Sequence, residues 1–322
     1  MNQKLIAEKL NISQATVSMA LKGSPRISRA LSETIRKLAE DSGYHPNLAG
    51  QLLRQGRSNV IGVILPSLVN KFYAELFQEL QKLLTPRGYL LYFSQIQERG
   101  ELEQLADYLK KLRVAGIIAI GNIAGELFPM CSRDTALVFY GGDKPLDLAA
   151  SQILPDRFQA GLEMTRYLIA RGRRRIAFLG VSSQEEQRFR GYCRALNEAG
   201  IPFRPELAVP GRDSLNSGYE MMRSVLAGSP DTDGVFAHND EIAIGAMRAA
   251  GEAGYSIPGR LSLAGFDNIE TGRYLHPALT TVDQPREAIA ELLAEELLAS
   301  MNDSARHRLV TVPCRLIIRE ST

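Results

Sequence analysis

The chain has 322 residues, 45% of them hydrophobic and 23% charged, with 38 Lys and Arg against 36 Asp and Glu. That apolar content excludes a disordered or collagen-like chain, and the length suggests about two domains. The longest apolar runs, VIGVIL and VAGIIAIG, fall well short of the roughly 18 residues of a membrane span, and MNQKLIAEKLNIS lacks the apolar stretch and cleavage site of a signal peptide. A cytoplasmic protein without membrane contact is expected. Cys131, Cys193 and Cys314 are odd in number and widely spaced, so they read as reduced packing residues, with no disulfide framework, metal site or cofactor implied.

The charge is unevenly divided. Residues 1–57 hold nine basic side chains (Lys4, Lys9, Lys22, Arg26, Arg29, Arg36, Lys37, Arg54 and Arg57) against four acidic ones, a net of +5 that leaves −3 for the remainder. A small basic head on a slightly acidic body suits an end that meets a polyanion, although a solvated basic surface would look the same.

In chain order, apolar residues of the head recur at helical spacing in three short segments, around Leu5–Leu10, Ala15–Leu21 and Leu31–Ala39. From Val60 onward, short β-rich runs alternate with amphipathic stretches. VIGVIL precedes a helix at 71–86, LLYF a helix at 101–112, and GIIAI and ALVFY follow. The rhythm resumes with a helix at 157–171, RIAFLG, a helix at 187–199, LAV, a helix at 217–227, GVFAH, a helix at 240–254 and SLAGF. A helix near 286–301 and a strand pair, HRLVTV and RLIIRE, close the chain. This alternation predicts an all-α head plus an α/β body of two doubly wound parallel-sheet subdomains, each with about five strands, whose carboxyl edges face across a cleft.

Leu5–Leu10, the turn at Asn11 and Ile12, and Ser13–Leu21 predict helix, tight turn, helix, with Ser13 capping the second helix. Ile12, Ala15, Val17 and Leu21 can face inward, leaving Gln14, Thr16, Ser18 and Met19 accessible. Such a slender polar face fits the DNA major groove, where Gln pairs with adenine and Thr or Ser hydrogen-bonds or touches a thymine methyl. An ordinary surface helix is the plain alternative.

The run IAEKLNISQATVSMALKGSPRIS followed by GYHPNLAGQLLRQGRSNVIGVILP resembles the start of LacI/GalR-family transcription regulators. The likeness continues through FYAEL, ARGRRRIAFLG, RFRGY, FAHNDEIAIGAMRA, LSLAGFDN and HPALTTVDQP. It implies a helix-turn-helix domain at 1–45, a hinge helix and linker at 46–57, and an effector-binding and dimerisation domain at 58–322 with the periplasmic-binding-protein fold. Within that last domain one subdomain would take about 58–156 and 286–306, and the other about 157–283 and 307–322. Gln14, Ala15 and Met19 fall where the family reads bases; Thr16, Ser18, Ser28 and Asn47 fall at backbone-anchoring places, and Arg26 and Arg54 add positive charge. Ala15 is too short for bidentate pairing, so readout would rest on Gln14 and apolar contact. The chain starts a few residues later than most relatives, which leaves Asn2 to cap the first helix.

By the same resemblance, Asn47–Arg54 matches the hinge helix, with Leu53 as a minor-groove wedge that bends the duplex. Eight residues do not hold a helix alone in water, and Gly50 weakens it further, so it would form only when paired on DNA. Without the resemblance this stretch reads as a flexible basic linker.

In the body, Asn239 and Asp240 close GVFAH, Asp267 closes SLAGF, and Arg188 follows the loop after RIAFLG. Carboxylates with an Arg fork suit a sugar or similarly polar metabolite, although Asp240 could equally cap a helix and Asp267 fix a turn. The resemblance implies effector contacts at Arg188, Asp240 and Asp267, with Phe72 as an apolar wall, Ser67 and Asp156 nearby, and Asp213 where relatives often stack an aromatic ring. An enzyme has little support: G-x-S-x-G, P-loop, H-E-x-x-H and G-x-G-x-x-G signatures are missing, and His45, His238, His276 and His307 each stand alone in sequence. A periplasmic-type ligand receptor is the nearer rival. The expected partners are a near-palindromic double-stranded operator, a sugar-like effector and a second copy of the chain. With no leucine heptads after RLIIRE, a homodimer is expected.

Overall fold

The computed structural model describes residues 3–21, 23–44, 58–96, 99–131 and 135–322. Contacts divide the chain after Ser58 into two units.

The first unit holds α1 (Gln3–Lys9), α2 (Gln14–Leu21) and α3 (Arg29–Asp41). Asn11 turns the chain with φ 50°, a conformation Asn tolerates, and Ser13 Oγ then accepts from Thr16 N–H at 3.0 Å to start α2. Ser28 starts α3 in the same way, accepting from Leu31 N–H at 3.4 Å. α3 ends at Asp41, and Gly43, φ 60°, turns the chain so that Tyr44 N–H returns to Ala39 C=O at 2.9 Å. Ile6, Ala7, Val17, Ala20, Ile35 and Ala39 form the core, with Leu10, Ile12, Leu21, Ile27, Leu31, Leu38 and Tyr44 packed around it. Ala15, expected to face inward, is exposed; Ala20, three residues after Val17 on the same face, fills that role.

In the second unit, one lobe is a parallel sheet of β1 (Val60–Leu65), β2 (Leu90–Gln95), β3 (Gly116–Ile120), β4 (Ala136–Tyr140), β5 (Ser151–Pro155) and β11 (Leu309–Val312), in the order β11-β5-β4-β3-β1-β2. Period-two alternation splits its side chains. Val63, Leu65, Ile118, Ile120 and Val138 pack under α4 (Lys71–Leu84) and α10 (Arg286–Asn302), while Ile64, Ile117, Ala119 and Phe139 pack under α5 (Arg99–Lys111). The other lobe is a parallel sheet of β6 (Ile176–Leu179), β7 (Ala208–Val209), β8 (Gly234–Ala237) and β9 (Ser262–Ala264), in the order β7-β6-β8-β9. α6 (Arg157–Ala170) and α7 (Gln187–Glu198) cover one face through Phe178, Phe189, Tyr192 and Phe236; α8 (Leu215–Gly228) and α9 (Asp240–Glu252) cover the other through Met222, Val235, Ile242 and Leu263. Glycines let these helices touch: a Cβ at Gly191 would meet Leu162 N at 2.5 Å and Phe158 O, and one at Gly245 would meet Tyr219 N at 2.8 Å and Leu215 O.

Two expectations are corrected. The segments HRLVTV and RLIIRE do not pair with each other. β11 lies parallel to β5 in the first lobe's sheet, so 309–312 does not belong with the second lobe, where the 307–322 assignment put it. β12 (Arg315–Ile317) instead pairs antiparallel with β10 (Thr281–Asp283). The third passage between lobes therefore falls after Val312, at Pro313 and Cys314, joining those at Pro155–Asp156 and Gln284–Pro285. β5, the sequence SQILP, was not foreseen as a strand; its polar Gln152 is buried by bonding Leu146 N–H at 2.9 Å and Leu146 C=O at 2.7 Å. Cys131, Cys193 and Cys314 are free and half-buried. Among the described residues, no helix is long and apolar enough to cross a membrane and no cluster has metal-ligand character.

A candidate DNA-reading face and a polar cleft

On α2, Val17 and Ala20 are fully buried, which turns the opposite face outward. Gln14 and Ala15 are exposed there, Thr16, Ser18 and Met19 partly so, and Arg26 and Ser28 are exposed beyond the helix. Thr16 Oγ1 lies 2.8 Å from Ser13 Oγ, so its hydroxyl is tied to the cap. The face combines one amide, two hydroxyls and a thioether on a narrow ridge, the inventory for base edges and methyl groups. Asn2, Lys22, Asn47, Gly50, Leu53 and Arg54 lie outside the described residues.

In the larger unit the three passages between lobes sit beside a concentration of buried charge. Arg188, on α7 and 7% exposed, donates from Nε to Glu186 Oε1 at 2.8 Å and from Nη1 to His238 C=O at 2.8 Å, with its guanidinium 5.0 Å above the Phe266 ring. Burial works against the charge of Glu186, but Arg188, His238 and the Phe189 N–H outweigh it and hold the carboxyl below its usual range. His238 is buried at the end of β8; that burial, reinforced by Arg188, lowers its pKa despite Asp213 and Glu186. A neutral ring donating from Nδ1 to Asp213 Oδ1, 3.1 Å away, and accepting at Nε2 from Arg188 satisfies both neighbours. Asp213 is the exposed member of the group, its side chain 41% accessible; partial desolvation disfavours its charge, yet His238 and Arg188 hold its pKa low. His238 is therefore not isolated, as its sequence position suggested. Its second nitrogen faces a guanidinium rather than a hydroxyl or thiol, so the pair has no nucleophile to activate.

Asp267 is 6% exposed with φ 105°, and its Oδ1 accepts from Gln284 Nε2 at 2.6 Å. Burial lifts its pKa to about 7 against the opposing pull of Arg188, Gln284 and Arg157. Gln284, on the second passage, also accepts from Tyr140 Oη of the first lobe at 2.8 Å, so one amide ties both lobes to Asp267. Arg286 adds a second tie, donating to the carbonyls of Asp267 and Asn268 at 3.1 Å and pairing with Glu75 at 3.2 Å. Lys71 adds a third, with its N–H 3.3 Å from Glu241 Oε1 and its Nζ 3.6 Å from Glu270. A cavity of about 360 Å³ is lined from the first lobe by Gly121, Asn122, Gly141 and Asp143 and from the second by Gln187 and Arg190; Arg188, His238, Asp213 and Asp267 are not among its walls, and it adjoins their cluster only through Gln187, next to Arg188 in the chain.

Four further residues singled out from sequence are engaged in holding the surrounding structure. Asp240 is 1% exposed; its Oδ1 accepts from Thr281 Oγ1 at 2.6 Å and its Oδ2 from Ile269 N–H at 2.8 Å. Both oxygens thus brace the loop after β9, and the helix cap foreseen for Asp240 is supplied by Asn239, which accepts from Ile242 N–H at 2.9 Å. Phe72 is 1% exposed inside the first lobe's core, 5.4 Å from the Tyr73 ring. Tyr73 is the neighbour that meets the cleft: burial raises its pKa, and it senses Arg157, Asp267, Arg188 and Asp213. Asp156 caps α6 through Gln159 N–H at 3.0 Å, and Ser67 accepts from Val69 N–H at 3.1 Å and Asn70 N–H at 3.3 Å ahead of α4. Glu186, His238, Gln284, Tyr73 and Arg157 were missed, because chain separation hides their convergence.

Residues 4–47 match the family described as bacterial regulatory proteins, lacI family, and residues 165–322 match the periplasmic binding protein-like domain. The fold superposes on a structure of the Lac repressor dimer bound to operator and an anti-inducer with TM-score 0.86, covering 98% of this chain and 97% of that one at 23% identity. A transcriptional regulator CelR–cellobiose complex is matched over all of both chains at 25% identity with TM-score 0.74. The HTH-type transcriptional regulator GntR of Escherichia coli strain K12 is 30% identical over 302 residues, 91% of this chain and 90% of that protein. With a helix-turn-helix head, a two-lobed body and this end-to-end likeness, the chain belongs to the LacI family of DNA-binding transcription regulators.

Proposed function

We propose that the protein is a homodimeric repressor. It reads a near-palindromic operator with Gln14, Ala15 and Met19, anchors the backbone through Thr16, Ser18, Arg26, Ser28, Asn47 and Arg54, and wedges Leu53 into the minor groove. A sugar-like effector bound among Arg188, Asp213 and Asp267 controls it. The observation carrying the reading is the convergence of Arg188, His238, Asp213, Asp267 and Gln284 where the chain passes between lobes. Charged forks and carboxylates match ligand hydroxyls, and a ligand touching both lobes favours one angle between them. The shift in DNA affinity is bounded by the effector's preference for one angle over the other. The cellobiose bound by the related regulator and the operator held by the Lac repressor dimer support the same reading.

The test is fluorescence anisotropy of the full-length protein on duplexes from the region upstream of its gene and on scrambled duplexes, with and without a panel of sugars. Binding to the upstream duplex should exceed binding to scrambled DNA by about 1,000-fold or more, fall steeply with salt and change with one sugar. Equal binding to both duplexes under all conditions would reject the proposal.

A further inference from the structure

Arg157 opens α6 and is only 8% exposed. Among the described residues it has no hydrogen-bond acceptor or ion-pair partner, and its Nε is fully buried. Nothing local explains a guanidinium there. A helix N-terminus carries the positive end of the peptide dipoles, so a cation at its first residue is on the unfavourable side. The adjacent Asp156 is engaged by Gln159 N–H at 3.0 Å. An ion withdrawn from water without a partner is costly, and such groups persist where a ligand completes them.

The direction of the side chain follows from the groups it influences. Its charge acts on Tyr73 and Tyr140 of the first lobe, on Asp213 and Asp267 of the second, and on Cys314 at the third passage. Its Nη2 stands 3.4 Å from where a Cβ would sit on Gly141, and Gly141 lines the cavity of about 360 Å³. The absent side chain at that position leaves room beside the end of the guanidinium, which lies behind the cavity wall at Gly141 and is not itself part of that wall. The neighbouring cations are occupied, Arg188 by Glu186 at 2.8 Å and Arg286 by Glu75 at 3.2 Å. Asp213 is held by His238 and Asp267 by Gln284, so Arg157 is the cation in this group without a hydrogen-bonded or ion-paired partner among the described residues.

We propose that the cleft ligand carries an anionic oxygen group, a carboxylate or a phosphate, on a hydroxylated carbon skeleton, and that Arg157 receives that group through paired charge-assisted hydrogen bonds. The inference rests on the cleft being the effector site. Asp213 and Asp267 repel an anion placed beside them, so the ligand's charge is confined to one end while its hydroxyls meet the carboxylates.

The experiment takes purified full-length protein and three matched probe sets: aldonates, aldose phosphates and the parent neutral aldoses, measured by thermal shift and titration calorimetry. One charged set should bind and the neutral parents should not, and which charged set binds separates a carboxylate from a phosphate. Arg157→Met should weaken that binding about 100-fold, and Arg157→Lys less, as expected on truncating one partner of a buried charge pair. Without ligand, Arg157→Met should melt no lower than the parent, because the cost of burying a guanidinium without a hydrogen-bond acceptor outweighs its attraction to Asp213 and Asp267. A neutral aldose whose binding survives Arg157→Met but is lost in Asp267→Ala overturns the anionic ligand and leaves the effector cleft standing. Lower melting of ligand-free Arg157→Met, or failure of both charged sets, overturns the proposal; failure of all three sets counts against the effector cleft too.

Discussion

Replacing Asp267 by Asn removes a titrating carboxyl from the cleft and keeps its shape, its acceptor for Gln284 and a residue type that tolerates positive φ. Asp267 is 6% exposed, and burial lifts its pKa from the ordinary 3.8 to about 7. The folded state thus holds this proton more tightly than the unfolded chain. The resulting stabilisation is complete below the unfolded value and is lost as pH rises through the folded one. A gap of about 3 units corresponds to at most about 4 kcal/mol, of which about 2–3 kcal/mol disappears between about pH 5 and about pH 8. Urea unfolding of the parent and Asp267→Asn at those two pH values measures it, and the difference between the proteins cancels the other titrating groups. The variant should gain about 2 kcal/mol on the parent from the lower to the higher pH. A difference that does not change with pH refutes a carboxyl whose pKa burial has lifted to about 7.

The head depends on a small core, so Ile35→Ala, at a fully buried position, should cost about 2–4 kcal/mol and abolish DNA binding while leaving the body's ligand-induced thermal shift intact; unaltered DNA binding and head melting by circular dichroism would contradict this. Gly245→Ala drives a Cβ against Tyr219 N and Leu215 O and should lower stability by about 2 kcal/mol or more in calorimetry. Gly251→Ala on the same helix meets nothing within 4 Å, so it should be neutral or stabilising by up to about 1 kcal/mol; equal effects at the two glycines would disprove the packing argument. Gln14→Ala should weaken binding to a specific DNA site by about 10-fold and leave the salt dependence unchanged, since no charge is removed; a shallower salt slope would mark Gln14 as acting through a phosphate-binding group instead.

What was legible in the amino-acid sequence was whatever depends on neighbours along the chain. Ser13 and Asn11 announce the turn before α2 because caps and left-handed turns are local chemistry, and VIGVIL or GVFAH announce strands because burial on both faces needs unbroken apolar runs. Arg188 and Asp267 could be singled out as candidates because charged residues at strand ends of a doubly wound sheet face the ligand edge.

Only the tertiary structure decided the rest. On a helix one residue is a rotation of about 100°, so a motif places FYAEL beside the cleft without saying that Tyr73 meets it and Phe72 fills the core. The capping role goes to Asn239 and the loop-bracing role to Asp240, because the latter's oxygens are captured by Thr281 and Ile269, dozens of residues away. β11 joins the first lobe because its backbone groups find β5, a pairing that no local pattern encodes. That Arg157 lacks a hydrogen-bonded partner among the described residues is likewise visible only when every neighbouring acceptor has been located in space, since a missing partner leaves no mark on the chain itself.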